Sequence, residues 1–481
     1  MTQLTDCAIR RSPAPVDTCV TATPPIQPAP NGAHAQRVQA ILHGNPFPLL
    51  VRMASPNSVA FFVQASVSMV EVWYVGQLGT VSLAAMALVF PLLMLMQMVA
   101  GGALGGAVNS AVARAMGAAK SDRVALLTWH TIGIAAIGSS VFLGLFLLFG
   151  KSFLIMLGGT DAVLEQALTY TTILFFGSLG IWLNALLSGV YRGMGDMKFP
   201  AAVMVGGACL QVPLSGALIL GWFGAPALGI SGAAISVVLV STLNSIISLI
   251  RLTTRHVAVP LTLPLPRFSI EVIRDIMRVG LPSLISPVVT VLTIVTVTGL
   301  IARIGTPALA GYGIGSRLEF LMIPLVFGLG AAMTSMVGIN VGAGNYPRAE
   351  RIGWLGGGTS AALTGMVGLL LAVFPNLWVS VFTNDPLTVA SGASYLRIVG
   401  PAYLFLGLGL SLFFASQGAG AVGWPIVATI ARFVISVGGA AAAVVHFGLG
   451  LDAIYICIAI AMVVYGAVTA LSVHLGAWRP R

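Results

Sequence analysis

The chain has 481 residues, of which only 7% are charged and 57% apolar, with a mean hydropathy of +0.99. Ordinary globular domains carry about 25% charged residues, so water is excluded as the main solvent. Twenty-three basic against 13 acidic residues leave a formal charge of +10, and only its placement can decide between nucleic acid, anionic lipid and cytoplasmic loops.

Residues 1–45 are rich in Pro, Thr and Ala and lack the apolar run of a secretory signal, which predicts a disordered cytoplasmic tail. A hydrocarbon core of ~30 Å takes ~20 helical residues. Apolar stretches of that size recur at 56–77, 83–108, 124–149, 167–190, 200–222 and 228–250, and again at 281–302, 307–338, 353–375, 393–416, 424–446 and 452–474. The reading is an all-α membrane protein with twelve transmembrane helices in two pseudo-symmetric six-helix lobes. The N-lobe spans 46–250 (first to sixth spans) and the C-lobe 281–475 (seventh to twelfth). Between them, 251–280 form a cytoplasmic linker, and 476–481 a short cytoplasmic tail.

In the linker, "RFSIEVIRDIMRVG" places Ile270, Ile273, Ile276 and Met277 on one helical face, with Glu271, Arg274, Asp275 and Arg278 largely on the other. That pattern predicts an interfacial amphipathic helix, which is compatible with an ordinary connector. With the N-terminus cytoplasmic, 18 of the 23 basic residues fall in inside segments, Arg10, Arg11, Arg192, Arg255, Arg267 and Arg481 among them. The positive-inside rule then puts both termini in the cytoplasm and explains the net charge without nucleic acid. Cysteines 7, 19, 209 and 457 form neither a CxxC pair nor a regular framework, so neither a disulfide scaffold nor a metal site is expected.

The chain repeats itself at a shift of about 225 residues. "VGQLGTVSLAA" (75–85) is echoed by "IARIGTPALAG" (301–311), "MGAAKSDR" (116–123) by "VGAGNYPR" (341–348), and "RGMGDMKFP" (192–200) by "QGAGAVGWP" (417–425). Six spans per repeat make the halves parallel, related by an axis along the membrane normal, an arrangement that usually holds substrate between two rocking bundles.

These segments, with "PALGISGAAIS" (226–236) and "VFTNDP" (381–386), are similar in kind and order to those of multidrug and toxic compound extrusion (MATE) transporters over positions 45–475. The resemblance implies two six-helix lobes in a V and export of diverse, often cationic, organic compounds in exchange for protons or sodium ions. It implies a multi-pass protein of the cell (inner) membrane, here expected to be a monomer. No cofactor is expected beyond the coupling ion. Where the family commonly has an Asp in its first span this chain has Glu71. Its fifth-span Asn and Asp positions hold Gln211 and Ser215, counted from Pro200, and the seventh-span Glu of one branch is Thr290, counted from Pro282.

Glu71 lies ~15 residues, or ~22 Å, into the first span. A carboxylate there costs ~2.5–3.5 kcal/mol unless paired, protonated or wetted. It is therefore the candidate ion-coupling group, with Gln211 and Ser215 beside it; the alternative is a structural hydrogen bond between helices. Arg317 and Glu319 fall near the middle of the eighth span, two residues apart and on different faces, so each needs another partner. Glu319 is the C-lobe candidate for binding a cationic substrate, with Arg317, Gln64, Tyr74, Thr290 and Tyr312 as further candidate walls; a purely structural network is the competing reading. Arg397 and Arg432 fit snorkelling anchors, and His130 and His446 fit packing better than metal binding.

A flippase of a lipid-linked intermediate is the alternative within transport, although it would favour a basic cavity. An intramembrane enzyme would need a Ser with a His or Lys at one depth, or clustered carboxylates, and no such pair stands out. A channel fits two broad repeated lobes less well than a carrier does.

Overall fold

The computed structural model describes residues 33–254, 257–261 and 269–479, and those residues are almost entirely helical. In hydrocarbon each backbone N–H and C=O has to be satisfied within its own segment, which leaves the helix as the available form for such a chain. Helix α1 (Ala33–His43) precedes α2 (Pro46–Gly76), α3 (Thr80–Gly117), α4 (Ser121–Met156), α5 (Asp161–Phe176), α6 (Ser178–Gly193), α7 (Lys198–Leu220) and α8 (Ile230–Leu252). The second half consists of α9 (Ile270–Ser283), α10 (Ile285–Ala302), α11 (Thr306–Gly342), α12 (Tyr346–Val373), α13 (Pro386–Ala419), α14 (Gly423–Val444) and α15 (Leu451–His474). Among the described residues eleven helices, counting α9 and α10 as one, are long and apolar enough to cross a bilayer; α5 with α6, bent by 53°, makes a twelfth. The bend falls at Gly177, which lies so close to Val238 of α8 that a Cβ would meet that side chain at 2.3 Å. A 3-10 turn at Gly400–Ala402 interrupts α13 at the corresponding place in the other half.

Two expectations need correction. Residues 33–43 of the expected tail are helical, because Ile41 and Leu42 bury themselves in the C-lobe core and Arg348 Nε donates to the Ile41 carbonyl at 3.1 Å. Asn45 then caps α2 by accepting from Phe47 N at 3.3 Å, with Pro46 in the first turn. The buried face of the linker helix is also rotated from the one expected: Ile276 is buried as expected, but Val272 and Val279 point inward with it while Ile270 is 76% exposed. Asp275 faces the N-lobe, accepting from Arg114 Nη2 and Arg123 Nη2 at 2.9 Å each. His130 Nε2 takes the first N–H of the linker helix from Ser269 at 3.0 Å. Residues 1–32, with Arg10, Arg11, Cys7 and Cys19, lie outside the described residues, as do Arg255, Arg267 and Arg481.

The lobes meet along a seam on the side where α2 begins and α15 ends. A shift of 225 residues carries Ser110 to Ser335 and Arg192 to Gln417, and the seam is built from those mates. Ser110 Oγ donates to the Gln417 carbonyl at 2.5 Å, and Ser335 Oγ donates to the Arg192 carbonyl at 2.7 Å. Asn109 Nδ2 donates to the Ala331 carbonyl at 3.3 Å. Gly117 and Gly342, a further pair of mates, let the backbones touch, since a Cβ would sit 1.9 Å from the Ile339 oxygen and 2.1 Å from the Arg114 oxygen. Beyond this seam, an edge-on contact of Phe61 with Phe327 at 6.2 Å joins α2 to α11.

A methyl group at either glycine has no room while the seam is closed. Gly342→Ala is expected to open this side of the molecule. Spin labels at exposed Lys120 and Arg351, in a chain freed of other cysteines, should then acquire a longer-distance population; an unchanged distance distribution would contradict the packing described.

Candidate functional site

The buried face of α2 runs through Asn57, Ala60, Val67, Glu71 and Tyr74, spaced three, four or seven residues apart. Glu71 is therefore turned into the N-lobe, with 6% of its surface exposed. Pro200 sits in the first turn of α7, and Gln211 and Ser215, four residues apart, share the face of that helix toward α2. Gln211 Nε2 donates to Glu71 Oε1 at 2.7 Å and Ser215 Oγ donates to the same oxygen at 3.0 Å. Behind them Ser236 of α8 lies 2.7 Å from Ser215, and its hydroxyl reaches the Ala233 carbonyl at 2.8 Å. The structure thus brings the three expected coupling residues together and adds Ser236.

The two hydroxyls can serve either charge state of Glu71. With the carboxylate ionised, Ser236 donates to Ser215 and Ser215 to Oε1. With a proton on Oε1 the chain reverses: Glu71 donates to Ser215, Ser215 to Ser236, and Ser236 to the Ala233 carbonyl. Each serine proton has an acceptor in either state, so neither hydroxyl hydrogen is left unpaired. Both hydrogen bonds to Glu71 fall on Oε1, which leaves Oε2 for an incoming ion or water.

Glu319 occupies a second acidic site inside the C-lobe. Tyr395 Oη donates to its Oε1 at 2.5 Å, and Tyr312 and Tyr455 meet the Tyr395 ring edge-on at 5.6 and 5.1 Å. Arg432 of α14 lies over the buried Tyr465 ring at 5.6 Å, so it faces into the lobe and does not act as the peripheral anchor expected for it. Tyr312 belongs to this site as expected. Arg317 does not: it is exposed, with its guanidinium over the Phe382 ring at 5.7 Å.

The remaining expected residues are dispersed. Thr290 returns its hydroxyl to the Ser286 carbonyl of its own helix at 2.8 Å. Tyr74 is 4% exposed and packs edge-on against Trp222 at 5.3 Å, a core residue next to Glu71 and not a cleft wall. Gln64, half-buried, lies two helical turns before Glu71 on the same side of α2. Sequence reasoning missed Ser236, Tyr395 and Tyr455. Tyrosines in apolar spans were the available signal for two of them, but their convergence on Glu319 joins residues 76 positions apart. Outside the spans, Asp385 closes the loop before α13; Thr388 Oγ1 and N, at 2.6 and 2.9 Å, hold its carboxyl below the usual carboxylate range.

Comparison with known proteins gives a consistent picture. The MatE family model matches residues 56–217 and 282–442, one match per lobe. A probable multidrug resistance protein NorM of Thermotoga maritima is 26% identical over 384 residues, covering 79% of this chain and 82% of its own length. A FAD transporter of Shewanella oneidensis is 24% identical, covering 75% and 79%. A solved outward-facing multidrug resistance MATE family transporter of the MOP superfamily superposes with a TM-score of 0.84 at 26% identity, over 92% of this chain and 98% of that one. A Pyrococcus furiosus MOP superfamily transporter, described as having a binding pocket of reverse polarity that suggests a different function, superposes at 0.83 and 26%, over 91% and 97%.

The Glu71 site can be tested as a bonded unit. Glu71→Ala and Ser215→Ala, singly and together, should show a coupling of about 1–3 kcal/mol in unfolding experiments. Glu71→Ala combined with Thr290→Ala should be additive. A coupling near zero for the first pair would remove the bond from the account.

Proposed function

This chain belongs to the MatE family of membrane transporters, and we propose that it is a secondary active exporter of small organic cations, driven by inward flow of protons or sodium ions through alternating access. The observation that carries this reading is Glu71, a buried carboxyl group with donors that can be rearranged and one oxygen that accepts no hydrogen bond among the described residues. Such a group binds a proton or a sodium ion when its lobe faces one side and releases it when the lobe faces the other. The seam at Ser110, Ser335, Gly117 and Gly342 supports a closed state of the side bearing the described chain ends.

In the proposed cycle an ion enters from outside and neutralises Glu71, the seam opens, and the ion leaves toward the cytoplasm as a cationic substrate is taken up. Glu319 in its tyrosine pocket is the C-lobe group for cation binding. The concentration of basic residues in alternate loops supports cytoplasmic termini and insertion in the inner cell membrane. A monomer suffices, since both lobes lie in one chain. The Shewanella relative bears the name of a transporter for FAD, an anionic dinucleotide, so cargo on this fold is not confined to cations.

Glu71→Gln preserves shape and hydrogen bonding while removing the charge. In proteoliposomes with separately imposed proton and sodium gradients, wild type should accumulate an organic cation against one of them. The variant should lose at least about tenfold of that rate, an effect of ~1.4 kcal/mol or more. Undiminished gradient-driven transport by correctly inserted Glu71→Gln would end the proposed coupling role.

A further inference from the structure

The pseudo-symmetry of the seam is broken at one pair of side chains, Gln417 and its mate Arg192. Gln417 is fully buried. Its Nε2 donates to the Gly102 and Ala103 carbonyls at 3.1 and 3.2 Å. Those carbonyls lie in a π-helical segment, Met98–Leu104, where the regular backbone ladder of α3 is interrupted. The same shift carries Gly102 and Ala103 to Phe327 and Gly328 in α11, where the helix is unbroken and the carbonyls are committed to their own ladder.

Arg192, itself half-buried, accordingly finds no hydrogen-bond acceptor among the described residues. Its buried Nε lacks a partner, and among the described residues its guanidinium makes no hydrogen bond or ion pair. It does not reach for the nearby surface either. Arg192 stands one residue from the end of α6 on the seam side, yet its guanidinium lies 5.4 Å from the centre of the Phe61 ring. Phe61 is ~22 Å of helical rise from the start of α2 on that same side. The charge is thus aimed along the seam, away from the end of α6 and onto the aromatic contact of Phe61 with Phe327 that links the lobes. A guanidinium that has no hydrogen-bonding or ionic partner among the described residues, and whose Nε is buried between the lobes, favours an anion beside it.

We propose that Arg192 binds an oxyanion group, a carboxylate or phosphate, of the transported compound between the lobes. The guanidinium fork would take two oxygens while Phe61 faces the apolar body of the ligand. Glu71 and Glu319 lie inside their own lobes, hydrogen-bonded to Gln211 and Ser215 and to Tyr395, whereas Arg192 brings a positive charge to the seam. Cargo then carries an acidic group beside any cationic one, which rests on the export reading and narrows its substrate class.

Two dyes of one scaffold separate the possibilities: rhodamine B, which bears a free carboxylate, and its ethyl ester, which does not. Equilibrium binding to purified protein in detergent needs no gradient, so its outcome is independent of whether coupled export is correct. Wild type should bind the acid more tightly than the ester. Arg192→Gln should weaken the acid about tenfold or more while leaving the ester unchanged, and Arg192→Lys should recover part of the loss. The proposal is overturned if wild type does not favour the acid, or if Arg192→Gln weakens both dyes alike, as a merely structural arginine would.

Discussion

A carboxyl group held among helices in hydrocarbon must have donors, a proton or a cation, and the arrangement of the N-lobe follows from meeting that demand at Glu71. Helix α7 supplies Gln211 and Ser215, and α8 supplies Ser236 behind them. Because the serine hydroxyls can reverse, the site accommodates the neutral and the charged carboxyl with the same backbone. Three helices are thereby tied at one point to the occupancy of one oxygen pair. This is the property an ion-coupled carrier needs: a local change of charge that alters the interactions between packed elements.

The seam supplies the other requirement, two arrangements of the lobes. Its polar contacts are few, come largely from backbone carbonyls, and are duplicated by the repeat, so it closes by close approach of small residues such as Gly117 and Gly342. Parting it also uncovers the apolar cluster in which Leu50, Met53 and Met197 of the N-lobe pack with Met333, Met336 and Ile339 of the C-lobe. Asp275 anchors the linker helix to the N-lobe through Arg114 and Arg123; Arg114 also hydrogen-bonds Ser110 at the seam. The linker is thereby joined to the gate as well as to the chain on either side.

Much of the architecture was legible before any coordinates, because hydrophobic length and a repeat of about 225 residues are properties of the sequence itself. Gln211 and Ser215 were placed beside Glu71 by counting from Pro200, which works because the helix is continuous from its first turn through both residues, Pro213 included. Other features depended on packing. Ile270 reads as part of an apolar face yet is exposed, because α9 turns Val272 and Val279 toward the N-lobe. The spacing of Arg317 and Glu319 already put them on different faces of α11, but it could not tell that Arg317 faces outward, over the Phe382 ring. The tyrosines around Glu319 come from α11, α13 and α15, and no local pattern announces such a meeting. Arg192 counted as one more loop base until its position over Phe61 was visible.

The central claim is that Glu71 is where the coupling ion and the cargo make themselves felt to each other. The most direct measurement is the affinity of purified protein for an organic cation as a function of pH and of sodium concentration, in wild type and in Glu71→Gln. Competition through this carboxyl predicts wild-type affinity that falls as one of the two ions becomes more abundant, and no such dependence in the variant. Affinity indifferent to both ions in wild type, or an ion dependence that persists unchanged without the carboxylate, would contradict it.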